Sequence, residues 1–183
     1  MRERMLAGGD YLASDAELLA LRDRGKALTE RFNAIPHAET AERDHVLREL
    51  LGAVGDGVEV LTGFRCDYGS NITIGAGAFV NFNCVMLDVA PITIGAACQL
   101  ATNVQLLTAT HPVDPARRRE GWESGAPITL GENVWLGGGA IVGPGVTIGE
   151  DSVIGAGAVV TRDVPAGVVA VGNPARVLRE IAG

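Results

Sequence analysis

Aromatic side chains are scarce: Phe, Trp and Tyr together make up only 4% of the 183 residues. A compact core centred on packed rings is therefore not expected, and aliphatic residues must fill the interior in thin, repetitive layers. Basic residues are outnumbered, Lys+Arg 15 against Asp+Glu 22, and a net charge of −7 makes nucleic acid an unexpected partner. Cys66, Cys84 and Cys98 form no CxxC pair, which argues against a zinc finger and against a disulfide framework; free, buried thiols are expected. No uninterrupted apolar run approaches the ~18 residues of a membrane span. The start, MRERMLAGGDYLASDAE, mixes acids into its first residues and has no apolar leader core. A cytoplasmic location with no membrane partner is the expectation.

Glycine, by contrast, is plentiful, with 25 residues, about twice the ~7% of average usage. The chain changes character near residue 57. In residues 1–57, Ser14 and Glu17 have capping-box spacing, and Leu18, Leu21, Leu28 and Phe32 recur at helical intervals. Gly25 interrupts that face, and Ile35-Pro36 ends it, because the residue before proline avoids the α region. A second helix is predicted from Thr40, with Val46, Leu47, Leu50 and Leu51 on one face and Gly52 or Gly55 as its stop. Two short helices cannot form a domain alone, so this segment must pack on the remainder of the chain.

Residues 58–183 are repetitive. Leu130, Leu136, Val142, Ile148, Ile154 and Val160 are spaced by six, and glycine follows the first five. Four residues after each comes Val134, Ala140, Val146, Ser152, Ala158 or Val164, small or β-branched side chains expected to let the chain turn. The same beat appears earlier at Ile74, Val80, Ile94, Leu100 and Leu106. A fixed six-residue period predicts a parallel β-helix of triangular section, each coil ~4.8 Å above the last.

Breaks in the beat locate the chemistry. Ile74 and Ile94 are 20 apart, which puts a bulge at Asp88–Pro91, and residues 111–127 leave the pattern as a long loop. Long loops on a rigid scaffold carry function. His111, alone of the three histidines, lies in the repeat, where the last regular side before the loop ends. One imidazole there suits a general base, and a merely exposed histidine fits the same residues. Glu123 in the loop can orient an imidazole, hold a hydroxyl, or be a surface acid. Arg117, Arg118 and Arg119 read as solvated loop surface, and Trp122 and Trp135 as walls of a site, with core packing an equal alternative for Trp135. Residues 162–179 hold Arg162, Arg176 and Arg179 against one acid, Asp163, a set suited to phosphate or to the solvated face of a C-terminal helix. Cys66 and Cys84, 18 apart, are expected to stack if every coil has that length.

The strings Arg65-Cys66-Asp67-Tyr68-Gly69, Asn81-Phe82-Asn83-Cys84, Thr108-Ala109-Thr110-His111-Pro112, Asn133-Val134-Trp135-Leu136-Gly137-Gly138 and Gly172-Asn173-Pro174-Ala175-Arg176 resemble those of the maltose O-acetyltransferases. They are similar, more distantly, to those of galactoside and nodulation-factor acetyltransferases. That resemblance spans nearly the whole chain. It implies a left-handed parallel β-helix of hexapeptide repeats behind a helical N-terminal cap, and a homotrimer with interfacial sites. It also implies acetyl transfer from acetyl-CoA, without a metal, to a hydroxyl of a maltose- or glucose-like acceptor. By that resemblance His111 matches the general base, and Asp67, Asn81 and Asp88 match acceptor positions, with Glu123 beside them. Gly138, Ala156, Thr161, Arg162, Arg176 and Arg179 match cofactor positions, with Trp135 as a wall. The acidic N-terminal residue of the family falls at Ala13, near Asp15. Two alternatives remain open: another acceptor, such as a galactoside, a nodulation oligosaccharide or an antibiotic, and a non-catalytic assembly module. A zinc-dependent anhydrase on the same fold would need several histidines in the repeat.

Overall fold

Strands of two or three residues are the building unit from residue 53 onward. The computed structural model describes residues 1–181. Three parallel sheets form the faces of a triangular prism of about six turns. The first face stacks Ala53–Val54, Ile72–Ile74, Ile92–Ile94, Ile128–Leu130 and Thr147–Ile148. The second stacks Glu59–Val60, Phe79–Val80, Gln99–Leu100, Trp135–Leu136, Val153–Ile154 and Val168–Val171. The third stacks Arg65–Cys66, Val85–Leu87, Gln105–Leu107, Ile141–Val142 and Val159–Val160. Register places like on like: Leu136 lies opposite Leu100 and Ile154, and Leu106 opposite Met86 and Val142.

All six aliphatics from Leu130 to Val160 are at most 1% exposed, so the period of six is the core itself. The corners are made differently from the sequence expectation. The turning residues are Asn133, Gly139, Gly145, Asp151 and Gly157, three positions after each of the first five aliphatics, all with φ between 54° and 77°. Glycine and short Asn or Asp side chains are the residues that tolerate this left-handed backbone. The small residue one position later is buried and fills the prism instead.

Ahead of the prism lie α1 (Arg2–Leu6), α2 (Ala16–Ala34) and α3 (Thr40–Leu50). The cap of α2 is Asp15, not Ser14: its carboxylate accepts the N–H groups of Glu17 and Leu18. Ile35 is extended, as a residue before proline must be. The first prism strand begins at Ala53, so the helical segment ends before residue 57. Phe32, Val46, Leu47 and Leu50 join the same apolar cluster as Val60 and Phe64. Buried Arg43 ties cap to prism, with Nη1 donating to the Phe32 and Ile35 carbonyls and Nη2 to that of Val60. Gly25 is no defect: a Cβ there would stand 2.7 Å from the Asp67 carbonyl oxygen and 2.8 Å from that of Tyr68. Only glycine lets α2 lie this close to the prism.

The expected C-terminal helix is not formed. Val168–Val171 and Arg176–Glu180 make an antiparallel hairpin that closes the end of the second face. The free edge of Val168–Val171 offers this segment backbone partners at once, and it pairs there as a strand. Residues 182–183 of the span 58–183 lie outside the described residues. Cys66, Cys84 and Cys98 are free and buried, as expected, but Cys66 stacks on Met86, because the lower coils have 20 residues. Burial pushes the Cys66 thiol up to about 12 and the Cys84 thiol up to about 11.

Every departure from the beat emerges at one edge, the corner after the third face. Cys66 to Ile74 and Met86 to Ile94 each take eight residues, and Leu106 to Leu130 takes 24, where the other two corners take six. The longest excursion is no open loop. Ala109–Thr110 pairs antiparallel with Trp122–Gly125, with α4 (Pro115–Arg119) between them, and Trp122–Gly125 pairs onward with Tyr11–Leu12 of the cap. Arg117, Arg118 and Arg119 are exposed, as expected, and two of them also fasten the excursion. Arg117 bonds Asp10 at 2.7 Å, and Arg118 donates to the Pro112 and Val113 carbonyls. Trp122 is flanked by the Arg4 and Arg117 guanidinium groups, 5.7 and 5.6 Å from its ring centre, and takes part in this strap.

Candidate active site

The third corner gathers most of the polar side chains singled out in the sequence. Its foundation is Asp88, wholly buried. One carboxylate oxygen accepts the N–H groups of Asp67 and Tyr68 at 3.1 and 2.9 Å, and the other accepts that of Asn71 at 3.2 Å. Burial pushes this carboxyl up while the backbone donors pull against it. Asp88, which the resemblance matches to an acceptor position, thus shapes the turn that presents Asp67. One coil on, Thr108 repeats the device, donating from Oγ1 to the Leu87 carbonyl and accepting the Ala90 N–H.

Asp67 sits above this foundation, half-buried, its carboxyl pushed up to about 6 by burial and by the nearby Asp88 and Glu123 charges. Arg22 and Lys26 of α2 oppose that rise. The Arg22 Nε is buried and, among the described residues, has no hydrogen-bond partner. A buried guanidinium N–H without an acceptor is costly unless something arrives to accept it. Sequence reasoning missed Arg22, although a signal existed. With Leu18, Gly25 and Thr29 it occupies one helical stripe whose other members are buried.

His111 stands at the rim, its side chain 58% exposed, with Nδ1 3.9 Å from Oε1 of Glu123. Glu123 is only 21% exposed, and its Oε2 accepts the Tyr11 hydroxyl at 2.8 Å. Thr110 and Ser124 join hydroxyl to hydroxyl at 2.8 Å beside the pair and brace the hairpin. Tyr11 was missed because nothing in its sequence neighbourhood marks it. Asp15, considered for the acidic acceptor contact, is spent on capping α2.

The remaining predicted residues lie elsewhere on the chain. Asn81, Gly138 and Ala156 line the second corner, which follows the second face, with Trp135 on that face, 53% exposed and so available as a wall. The Asn81 carboxamide oxygen accepts the Phe82 N–H. The Gly138 N–H has no backbone acceptor among the described residues, while its carbonyl accepts the Gly157 N–H. A free N–H at a corner is suited to an oxygen that gains negative charge. Thr161 and Arg162 return to the third corner, two coils beyond His111. Arg162 and Arg176 line a shallow cavity of about 150 Å³ with Ala170 and Ala175; Arg179, further along the hairpin, does not. A single chain thus brings His111, Asp67 and Glu123 together but leaves Asn81 and Gly138 on a different edge of the prism. A cavity of about 340 Å³ lies between α3 and the first coil, lined by His37, Arg43 and Glu59, and includes none of these residues. Among the described residues, no three His, Cys, Asp or Glu side chains converge as a metal centre, and no helix is long and apolar enough to cross a membrane.

Comparison with known proteins agrees with this architecture. The maltose acetyltransferase hexapeptide capping motif matches residues 4–55, and the bacterial transferase hexapeptide, in six repeats, matches residues 127–162. Nodulation protein L of Rhizobium meliloti is 52% identical over 177 residues, 96% of each chain. The crystal structure of a maltose O-acetyltransferase from Clostridium difficile superposes with a TM-score of 0.98 at 48% identity, covering 100% of this chain and 97% of that one. A galactoside acetyltransferase solved in complex with coenzyme A superposes with a TM-score of 0.95 at 40% identity, covering 100% and 91%.

Proposed function

This chain belongs to the hexapeptide-repeat acetyltransferases with a maltose-acetyltransferase cap, left-handed parallel β-helix proteins, and on that premise we propose its reaction and acceptor. It transfers acetyl from acetyl-CoA to a hydroxyl of a maltose- or glucose-like sugar, at sites shared between neighbouring copies of a homotrimer. The observation that carries this reading is the pairing of His111 with Glu123 at an open rim, beside a half-buried Asp67 and an unpartnered Arg22 N–H.

The chemistry follows from the positions. The Glu123 carboxylate, 3.9 Å from Nδ1, favours a proton on that nitrogen and leaves Nε2 free to act as the base. The acceptor hydroxyl gives its proton to Nε2 as its oxygen attacks the thioester carbonyl. The carbonyl oxygen, now an anion, is met by the Gly138 N–H of an adjacent copy. Collapse breaks the carbon–sulfur bond, and the departing thiolate takes the proton back from His111. An acetyl ester and free CoA result, and no metal is needed. Asp67 and Arg22 offer an acceptor and a donor to the sugar's other hydroxyls, and Asn81 adds a contact from the second corner. Ala156 and Thr161 lie along the path of the pantetheine arm, with Trp135 as its wall. Arg162, Arg176 and Arg179 suit the CoA phosphates, since a planar guanidinium binds two oxygens at once.

Release of CoA thiol from acetyl-CoA, followed across mono- and disaccharides, chloramphenicol-type alcohols and serine, tests the acceptor class. Release with sugars alone is expected. Release with none would leave an assembly module, and release with another alcohol would move the acceptor class. Replacing Arg176 and Arg179 together with Ala is expected to raise the KM for acetyl-CoA about tenfold or more with little change in the sugar KM. The opposite pattern would remove them from the cofactor site.

A further inference from the structure

The phenol of Tyr11 lies in the N-terminal cap, 112 residues from its hydrogen-bond partner, and no step of the proposed acetyl transfer uses it. From its geometry we infer that Tyr11 is a positioning residue: its hydroxyl fixes the Glu123 carboxylate so that one oxygen faces Nδ1 of His111, making the cap a working part of the site. The inference rests on the reading of His111 as the base.

Three independent features converge on it. The first is the division of the carboxylate. Tyr11 takes Oε2 at 2.8 Å, which turns Oε1 toward His111 at 3.9 Å. Left alone, a partly exposed glutamate with three rotatable bonds would sample many orientations, and the imidazole would lose its fixed neighbour. The second is the rigidity of the donor. Tyr11 is 0% exposed and packs with Met5, Leu18, Tyr68 and Val89, so its ring cannot follow a wandering carboxylate. Its backbone is also in register with Glu123, since Tyr11 opposes Glu123 and Leu12 opposes Trp122 in the strap. The third is chemical constancy. Burial and the nearby Glu123 push the phenol far up, so it remains a neutral donor and never adds an anion beside Glu123 and Asp67.

A hydroxyl kept only to satisfy a buried phenol would have no reason to meet the one carboxylate that faces the base. The cap thus does two things with one side chain. Its ring fills the apolar joint between α2 and the third corner, and its oxygen sets an oxygen of Glu123.

Tyr11→Phe keeps the ring and removes only the hydroxyl. It is expected to lower kcat about tenfold, leave the acetyl-CoA KM unchanged and keep the thermal midpoint within a few degrees. Glu123→Gln should lower kcat by at least as much, and the double variant should be no slower than Glu123→Gln alone, because both changes break one chain of contacts. Nitrogen NMR of the His111 imidazole should report the Nδ1–H tautomer in the parent and a mixture of tautomers in Tyr11→Phe. A kcat within twofold of the parent, or losses that multiply in the double variant, would overturn the assignment of Tyr11. If His111→Ala itself keeps full turnover, it is the base that fails, and the two failures are told apart.

Discussion

His111→Ala is expected to leave a folded protein of unchanged assembly and to lower acetyl transfer ~10²-fold or more. Both halves follow from where the side chain stands. The imidazole is more than half exposed at the rim and belongs to neither apolar cluster, so removing it opens no cavity, and its cost in stability should stay within the ~0.5 kcal/mol typical of surface changes. The loss must therefore appear in the chemistry. A sugar hydroxyl attacks a thioester poorly while it keeps its proton, and the other two histidines, His37 and His45, lie on the cap, outside the third corner. Glu123 is no substitute: the strap holds it behind the imidazole, with one oxygen already occupied by Tyr11. Circular dichroism, sedimentation and the thiol-release rate measured on one preparation decide the matter. Turnover near that of the parent would take His111 out of the mechanism.

Much of this arrangement is readable from the residues, and the limits have physical causes. The six-residue beat is legible because an inward aliphatic recurs at the same position of successive strands, so Leu130 to Val160 announce the prism directly. The bulge at Asp88–Pro91 and the excursion at 111–127 are legible as interruptions of that beat. The matching insertion after Cys66 is harder to see, because Arg65–Cys66 offers no aliphatic to mark the phase, and that is why spacing alone sets Cys66 against Cys84 when it stacks on Met86. Two-residue strands such as Tyr11–Leu12 carry too little periodicity to detect, so the strap and with it Tyr11 stay hidden in the sequence. Gly25 and Arg22 look like flaws in an amphipathic helix. Only the nearness of the Asp67 and Tyr68 carbonyls explains the first, and only an unfilled donor beside Asp67 explains the second. The sequence marks Asp88 but does not distinguish a carboxylate that binds substrate from one that folds the loop beneath it, as the three backbone N–H groups on Asp88 do.

The division of the site between two edges of the prism leads to the second large effect. His111 belongs to the corner after the third face and Gly138 to the corner after the second, so one chain cannot offer both to the same carbonyl. The proposed closed ring of three requires each third corner to meet a neighbour's second corner. Gly138→Trp should fill the space over the free N–H and lower activity ~10²-fold, while the prism tolerates it, because a Cβ there meets only the Thr102 carbonyl oxygen at an ordinary 3.5 Å. His111→Ala and Gly138→Trp are then two inactive proteins with complementary defects. Refolded together in equal amounts, a site is intact when its third corner comes from a Gly138→Trp chain and its second corner from a His111→Ala chain. Random assembly makes that true of about a quarter of all sites, so the mixture should regain roughly a quarter of parental activity from components that each show about one per cent. A site contained within one chain predicts no recovery at any ratio. Mixed assemblies, verified by a mass tag on one variant, that stay as inactive as their parts would therefore defeat the shared site.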